Sequence, residues 1–262
     1  MRTYSNIISL TENSRGVYSL DPSLGCYSGT RNNKNGCYND CYAAKIARAY
    51  GYDFTKTVLR NFESQSHIVE TIRQIEKIPL PFVRMGTMGD PSENWEHTLK
   101  ICRIISTKHQ LNLFQATTKQ IVIITKHWTN LTDEQLKELA LYNVCVNTSV
   151  SALDGEILAN GLTQFERLKP FCKSILRVVS ADFNQDNETG LKLSKVQDEL
   201  FKHGVLDTVL RVSNKNPIVI DGIIKVKRGN FMGKKQYMSK HNPKTYVGKC
   251  SACKEMCGVN MT

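Results

Sequence analysis

Apolar residues in this chain fall into two alternating patterns. PFVRMGTM (81–88), QIVIITKHW (120–128), YNVCVNTSV (142–150), SILRVVS (174–180) and DTVLRVS (207–213) are short, apolar and rich in β-branched residues. They read as strands of a parallel sheet buried on both faces. Between them lie stretches with helical spacing: CYAAKIARAY (41–50), SQSHIVETIRQIEK (64–77), and residues 132–141, 154–168 and 193–203. Thr132, followed by Asp, Glu and Gln, is a good helix start. Residues 94–107 read as one more helix, and the stretch to 119 as irregular. Strands alternating with helices predict an α/β fold. With a first strand ahead of Cys26 the count is about six β/α units, too few for a closed barrel of eight. A partial, open (β/α)6 barrel fits, with a doubly wound sheet as the alternative. In both, loops at the carboxyl ends of the strands build the active site.

The 262 residues suit one large domain with a small appendage. The division expected is a β/α barrel over residues 1–220 and a basic, cysteine-containing extension over 221–262. Hydrophobic content of 40% and charged content of 23% describe a folded soluble chain rather than a disordered one. No apolar run approaches a membrane span, and Met1 to Asn13 lacks a cleavable signal pattern. The expected location is the cytoplasm, without membrane contact. The net charge of +11 is concentrated late in the chain. Between Asp221 and Glu255 there is no acidic residue, but there are nine basic ones: Lys225, Lys227, Arg228, Lys234, Lys235, Lys240, Lys244, Lys249 and Lys254. Such a segment attracts polyanions; a solvated tail is the plainer explanation.

In a reducing compartment, clustered cysteines point to metal or redox chemistry rather than disulfides. Of nine cysteines, Cys102, Cys145 and Cys172 stand alone in apolar stretches and read as small buried hydrophobes. Cys26, Cys37 and Cys41 form one group, with ten and then three residues between them. Glycines precede Cys26 and Cys37, and the loop between them is polar. Three thiolates converging from a loop suit iron, and three rather than four would leave one iron open for catalysis. Spacing alone serves zinc equally well.

The sequence resembles the radical S-adenosylmethionine (SAM) superfamily, particularly its compact members from viruses and mobile elements. The resemblance rests on Gly25-Cys26, Gly36-Cys37 and Cys41-Tyr42-Ala43, followed directly by a helix. It extends through MGTMGDPSENW (85–95), ITKHW (124–128), NTSVSALD (147–154) and LRVVSADF (176–183). The first gap between cysteines is longer than the family usually shows, and Asp40 rather than an aromatic precedes Cys41. Tyr38 and Tyr42 are therefore both candidates to stack near an adenine.

The resemblance implies that Cys26, Cys37 and Cys41 hold a [4Fe–4S] cluster whose fourth iron is chelated by SAM. Reductive cleavage of SAM would then give a 5′-deoxyadenosyl radical that abstracts hydrogen from a substrate, with a flavodoxin- or ferredoxin-type protein as electron donor. Gly86, Thr87, Gly89 and Asp90 would hold the amino group of SAM; a glycine-rich turn is the bland alternative. Ser149 and Ser151 sit where hydroxyls can reach the ribose, or they cap the next helix. Arg177, in the following strand, needs an anionic partner: the SAM carboxylate or a structural carboxylate. Lys126 and His127 lie at another strand end and are candidates to face substrate, His127 being equally a surface histidine. Asp182, Asn184, Arg211, Ser213 and Asn214 are weaker candidates for substrate contact.

The chain closes with a second group, Cys250, Cys253 and Cys257, with two and three residues between them. This is close enough to share one metal, an auxiliary iron–sulfur cluster or a zinc with His241 as a possible fourth ligand. The leading expectation is thus a radical SAM enzyme acting on a nucleotide, a nucleic acid or a peptide. The competing one is a zinc-dependent nucleic-acid-binding protein with both cysteine groups structural.

Overall fold

The structure is a computed structural model that describes residues 2–13, 15–31, 41–106, 116–203, 206–209, 219–220, 223–231, 234–239 and 256–260. Its centre is a seven-stranded sheet. The strands, in spatial order, are β1 (Thr11–Glu12), β2 (Tyr18–Ser19), β5 (Phe82–Met85), β6 (Gln120–Thr125), β7 (Val144–Val150), β8 (Lys173–Ser180) and β10 (Leu206–Val209). Only β1 is antiparallel to its neighbour; the other six strands run parallel. Three small pairs complete the strands: β3 (Ser23–Leu24) with β4 (Val58–Leu59), β9 (Asp182–Phe183) with β11 (Val219–Ile220), and β12 (Ile223–Phe231) with β13 (Lys234–Ser239). Among the described residues no pairing joins β1 to β10, so the sheet is open.

The helices are α1 (Tyr27–Arg31), α2 (Tyr42–Ala49), α3 (Gln65–Lys77), α4 (Trp95–Ser106), α5 (Asp133–Leu139), α6 (Ile157–Leu168) and α7 (Glu188–Phe201). Local chemistry sets their starts. The Ser64 side chain accepts the amide of His67 to open α3, and Thr132 with Gln135 forms a full capping box on α5. α7 begins five residues before the expected Leu193, because the Asn187 side chain accepts the amides of Thr189 and Gly190. Gly190 belongs there for its size: a Cβ would lie 1.9 Å from the Asn184 carbonyl oxygen.

Strand register shows how the core is divided. Val83, Ile121 and Val144 lie side by side, as do Met85, Ile123 and Val146. These rows pack against Ile72 and Ile75 of α3, Leu99 and Ile105 of α4, Leu136 of α5 and Leu168 of α6. Leu176 and Val178 continue the same face against Phe165 and Leu200 of α6 and α7. Helices α3 to α7 thus cover one face of the sheet, whereas a doubly wound sheet carries helices on both.

The opposite face presents Phe82, Val122, Cys145 and Ile175, and receives the chain's last described segment, 256–260. Asn147 Nδ2 donates to the Cys257 carbonyl at 2.9 Å, and Lys173 Nζ to that of Val259 at 3.0 Å. Gly258, at φ +91°, lies against Ile175 where a Cβ would come within 2.7 Å. The isolated cysteines behave as small apolar residues. Burial raises the thiols of Cys102 and Cys145 to about 12 and that of Cys172 to about 11. Among the described residues no helix is long and apolar enough to cross a membrane.

Candidate functional site

The first cysteine group is fastened to the loop that follows β5. Gly25 forms a parallel bridge with Gly89 and donates its amide to the Met88 carbonyl at 2.9 Å. The next amide, that of Cys26, reaches the Phe54 carbonyl at 2.9 Å. Cys26 is buried; its Sγ accepts the Gly29 amide at 3.3 Å and lies 3.4 Å from Glu93 Oε1. Burial, reinforced by the carboxylates of Asp90 and Glu93, pushes this thiol well above its ordinary range. Cys41 occupies the position before α2. It packs in the same apolar cluster as Cys26, together with Ala43, Ala44, Ala47, Phe54, Met88 and Trp128. Two of the three expected ligands are therefore brought together. Cys37 lies outside the described residues, as do Cys250, Cys253, Tyr38, His241, Arg211, Ser213 and Asn214. Among the described residues no group of three His, Cys, Asp or Glu side chains is arranged to hold a metal.

The Gly86–Asp90 loop owes its shape to the protein itself. One buried carboxylate, Asp21, accepts three consecutive amides: Gly86 at 2.8 Å, Thr87 at 2.9 Å and Met88 at 3.1 Å. Burial raises its pKa, against the pull of these amides and of Arg84. The glycines answer to neighbouring backbone. At Gly86 (φ +91°) a Cβ would lie 2.2 Å from the Ile124 carbonyl, and at Gly89 2.5 Å from that of Ser23. The Thr87 hydroxyl pairs with Ser19 Oγ at 2.6 Å, and its carbonyl accepts the Tyr42 hydroxyl at 2.5 Å.

Two expected cofactor contacts have their side chains engaged inside the fold. The Asp90 carboxylate accepts from Ser92 N and Oγ, Thr125 Oγ1 and Lys126 N, all at 2.7–2.9 Å. The Ser151 hydroxyl accepts the Leu153 amide while Asp154 accepts that of Ser151, a capping box around a short 3-10 turn. This is the capping alternative weighed from the sequence.

Ser149 and Arg177 are register partners on the helix-free face. Arg177 Nε and Asn147 Oδ1 there are buried polar atoms with no hydrogen-bond partner among the described residues. A buried donor left unpaired is costly, so this face suits a polar ligand.

Lys126 does not reach outward: both Asp154 oxygens hold its Nζ at 2.7 Å. His127 is a core residue rather than a surface one. It is 2% exposed, has φ +55°, bonds Thr148 Oγ1 through Nε2 at 2.9 Å, and is pushed down to about 4 by burial. Asn184 Oδ1 accepts the Asp186 amide, and Asp182 lies in β9.

Sequence reasoning passed over Asp21 and Glu93. Glu93 links three segments, accepting from Ser28 N at 2.8 Å and from Thr57 Oγ1 at 3.0 Å beside Cys26. The only hint of either was its place, Asp21 just ahead of the cysteine loop and Glu93 inside the DPSENW run. Compared with family models, with curated proteins and with solved structures, the chain matches none.

Proposed function

We propose that the protein is a radical SAM enzyme built on a partial β/α barrel, with Cys26, Cys37 and Cys41 as ligands of a [4Fe–4S] cluster. One observation carries this reading. Cys26 and Cys41 converge in a single apolar cluster at the carboxyl ends of parallel strands, tied to the loop after β5. Helices α3 to α7 on one face, and a sheet whose edges are unpaired among the described residues, accord with a partial barrel.

The cluster, when bound, would supply the electron that cleaves SAM. The chain's own part is to hold and orient. Asp21 occupies the amides of Gly86, Thr87 and Met88, so the loop meets an amino group, which donates, through carbonyl oxygens. Asp90 and Ser151 act as braces. Ser149 and Arg177 remain the contacts for SAM on the face opposite α3 to α7, where Arg177 Nε, unpartnered among the described residues, can donate to a carboxylate.

The basic residues Lys225, Lys227, Arg228, Lys234 and Lys235 fall on the β12–β13 ribbon. That favours an anionic substrate, a nucleotide or nucleic acid, over a peptide. The same ribbon is what a zinc-dependent nucleic-acid-binding protein would use, and metal content separates the two.

The test is electron paramagnetic resonance on anaerobically reconstituted, reduced protein with and without SAM. A [4Fe–4S] signal that shifts with SAM and is lost in Cys26→Ala and Cys41→Ala supports the proposal. Bound zinc with no cluster signal overturns it.

A further inference from the structure

The surface above the cysteine group differs from the rest of the molecule. Six large hydrophobic side chains are exposed among the described residues, and four of them belong to α1, α2 or the C-cap of α2: Tyr27 (50%), Tyr42 (50%), Ile46 (42%) and Tyr50 (67%). Tyr42, Ile46 and Tyr50 are spaced by four, which aligns them in one stripe about 12 Å long. The opposite side of the helix, Ala43, Ala44 and Ala47, packs onto Cys26 and Phe54.

The charge around the stripe is one-sided. Of the described helices of eight or more residues, α2 alone has no acidic residue, and it exposes Lys45 and Arg48. Elsewhere many helical cations meet carboxylates, as in Arg73–Glu70, Arg103–Glu138, Lys169–Glu166, Lys192–Glu188 and Lys202–Glu199. Two nearby carboxylates among the described residues are engaged elsewhere. Asp53 accepts from Thr55 and pairs with Lys56, and Glu93 accepts from Ser28 and Thr57.

An aromatic and aliphatic centre with a cationic rim is the anatomy of a protein interface complementary to an acidic partner. The small size of the stripe suits a brief encounter of the electron-transfer kind rather than a permanent complex. Cys41 lies at the start of this helix and Cys26 beneath it. We infer that the outer face of α2, with Lys45, Ile46, Arg48 and Tyr50, is the docking surface for an acidic one-electron carrier protein that reduces the cluster. This rests on the reading of Cys26, Cys37 and Cys41 as cluster ligands. In the step, one electron leaves the reduced carrier, which is oxidised by one equivalent. The cluster is reduced by one, and no bond is made or broken.

The experiment uses the full chain with its cluster reconstituted, mixed in a stopped-flow instrument with reduced flavodoxin or with dithionite. In wild type, the rate with flavodoxin falls as salt rises. In Lys45→Glu/Arg48→Glu it falls by at least about tenfold, the scale of lost electrostatic steering. Ile46→Ser also slows it. Cluster content and dithionite reduction stay unchanged in both variants. An unchanged flavodoxin rate in the charge-reversed variant overturns the inference and leaves the cluster reading intact. So does loss of binding to a single-stranded RNA oligonucleotide in that variant with flavodoxin reduction unaffected, which would make this face a nucleic-acid track. A wild-type chain that takes up no cluster overturns both.

Discussion

Replacing Gly86 by alanine tests whether the loop beside the cysteines is shaped by the neighbouring strand. Two penalties are combined at this position. A residue with a Cβ at φ +91° bears a left-handed backbone penalty of about 1–2 kcal/mol. The new Cβ would also stand 2.2 Å from the Ile124 carbonyl oxygen, a backbone atom in β6. Relieving that contact is an overpacking problem of about 1–3 kcal/mol. The expected loss is therefore about 2–5 kcal/mol. Gly51 is the internal control: its φ is +77°, and nothing lies within 4 Å of its Cβ direction. Gly51→Ala should lose only the backbone part, about 1–2 kcal/mol, and the change in unfolded-chain entropy is common to both variants. Urea unfolding followed by circular dichroism, with unchanged m-values, gives the two losses. Equal losses would refute the close approach of the loop to β6, and with it the claim that Gly86 answers to backbone rather than to ligand.

Acid should destabilise the protein through His127. Its folded pKa of about 4 lies below an unfolded value of about 6.5, so the unfolded chain binds the proton first as pH falls. Stability is intact above pH 6.5 and declines by roughly 3 kcal/mol as pH drops to 4. Asparagine tolerates φ +55°, so His127→Asn should flatten this part of the profile; an identical profile in the variant refutes the assignment. Asp154→Ala strands Lys126 and removes the acceptor of the Ser151 amide, at an expected loss of about 3–5 kcal/mol. Lys126→Met/Asp154→Leu should recover most of it, and a loss below about 1 kcal/mol for Asp154→Ala would show that the pair is not buried.

The central parallel strands were legible because each is a continuous apolar run: β5 to β7 fall inside the segments read as strands, and β8 begins one residue before its segment. α3 was legible through its apolar spacing and α5 through its cap, Thr132. The start of α7 was not, because Gly190 looks like a helix breaker until Asn184 is seen pressed against it. At the candidate site the sequence located the segments and misjudged the direction of several side chains. Asp90 resembles a ligand contact in one dimension, but its partners Thr125 and Lys126 come from another part of the chain, whereas Ser151 is engaged locally by Asp154, three residues on. His127 reads from its sequence context as a substrate-facing or surface residue, because nothing local reveals that Trp95 and Thr148 enclose it. Asp21 was invisible for the same reason: its three amides are more than sixty residues away.

The segment seated on the helix-free face is translated after every strand it covers. While β5 to β8 emerge and gather their helices, Cys145 and Ile175 lack the contacts that Cys257, Gly258 and Val259 give them on that side. Cys257, Gly258 and Val259 arrive last, and Asn147 and Lys173 then gain their carbonyl partners. The nascent chain therefore passes through a stage with an open apolar flank, in which it is vulnerable to association with its neighbours. Covering that flank falls to residues made after the sheet itself.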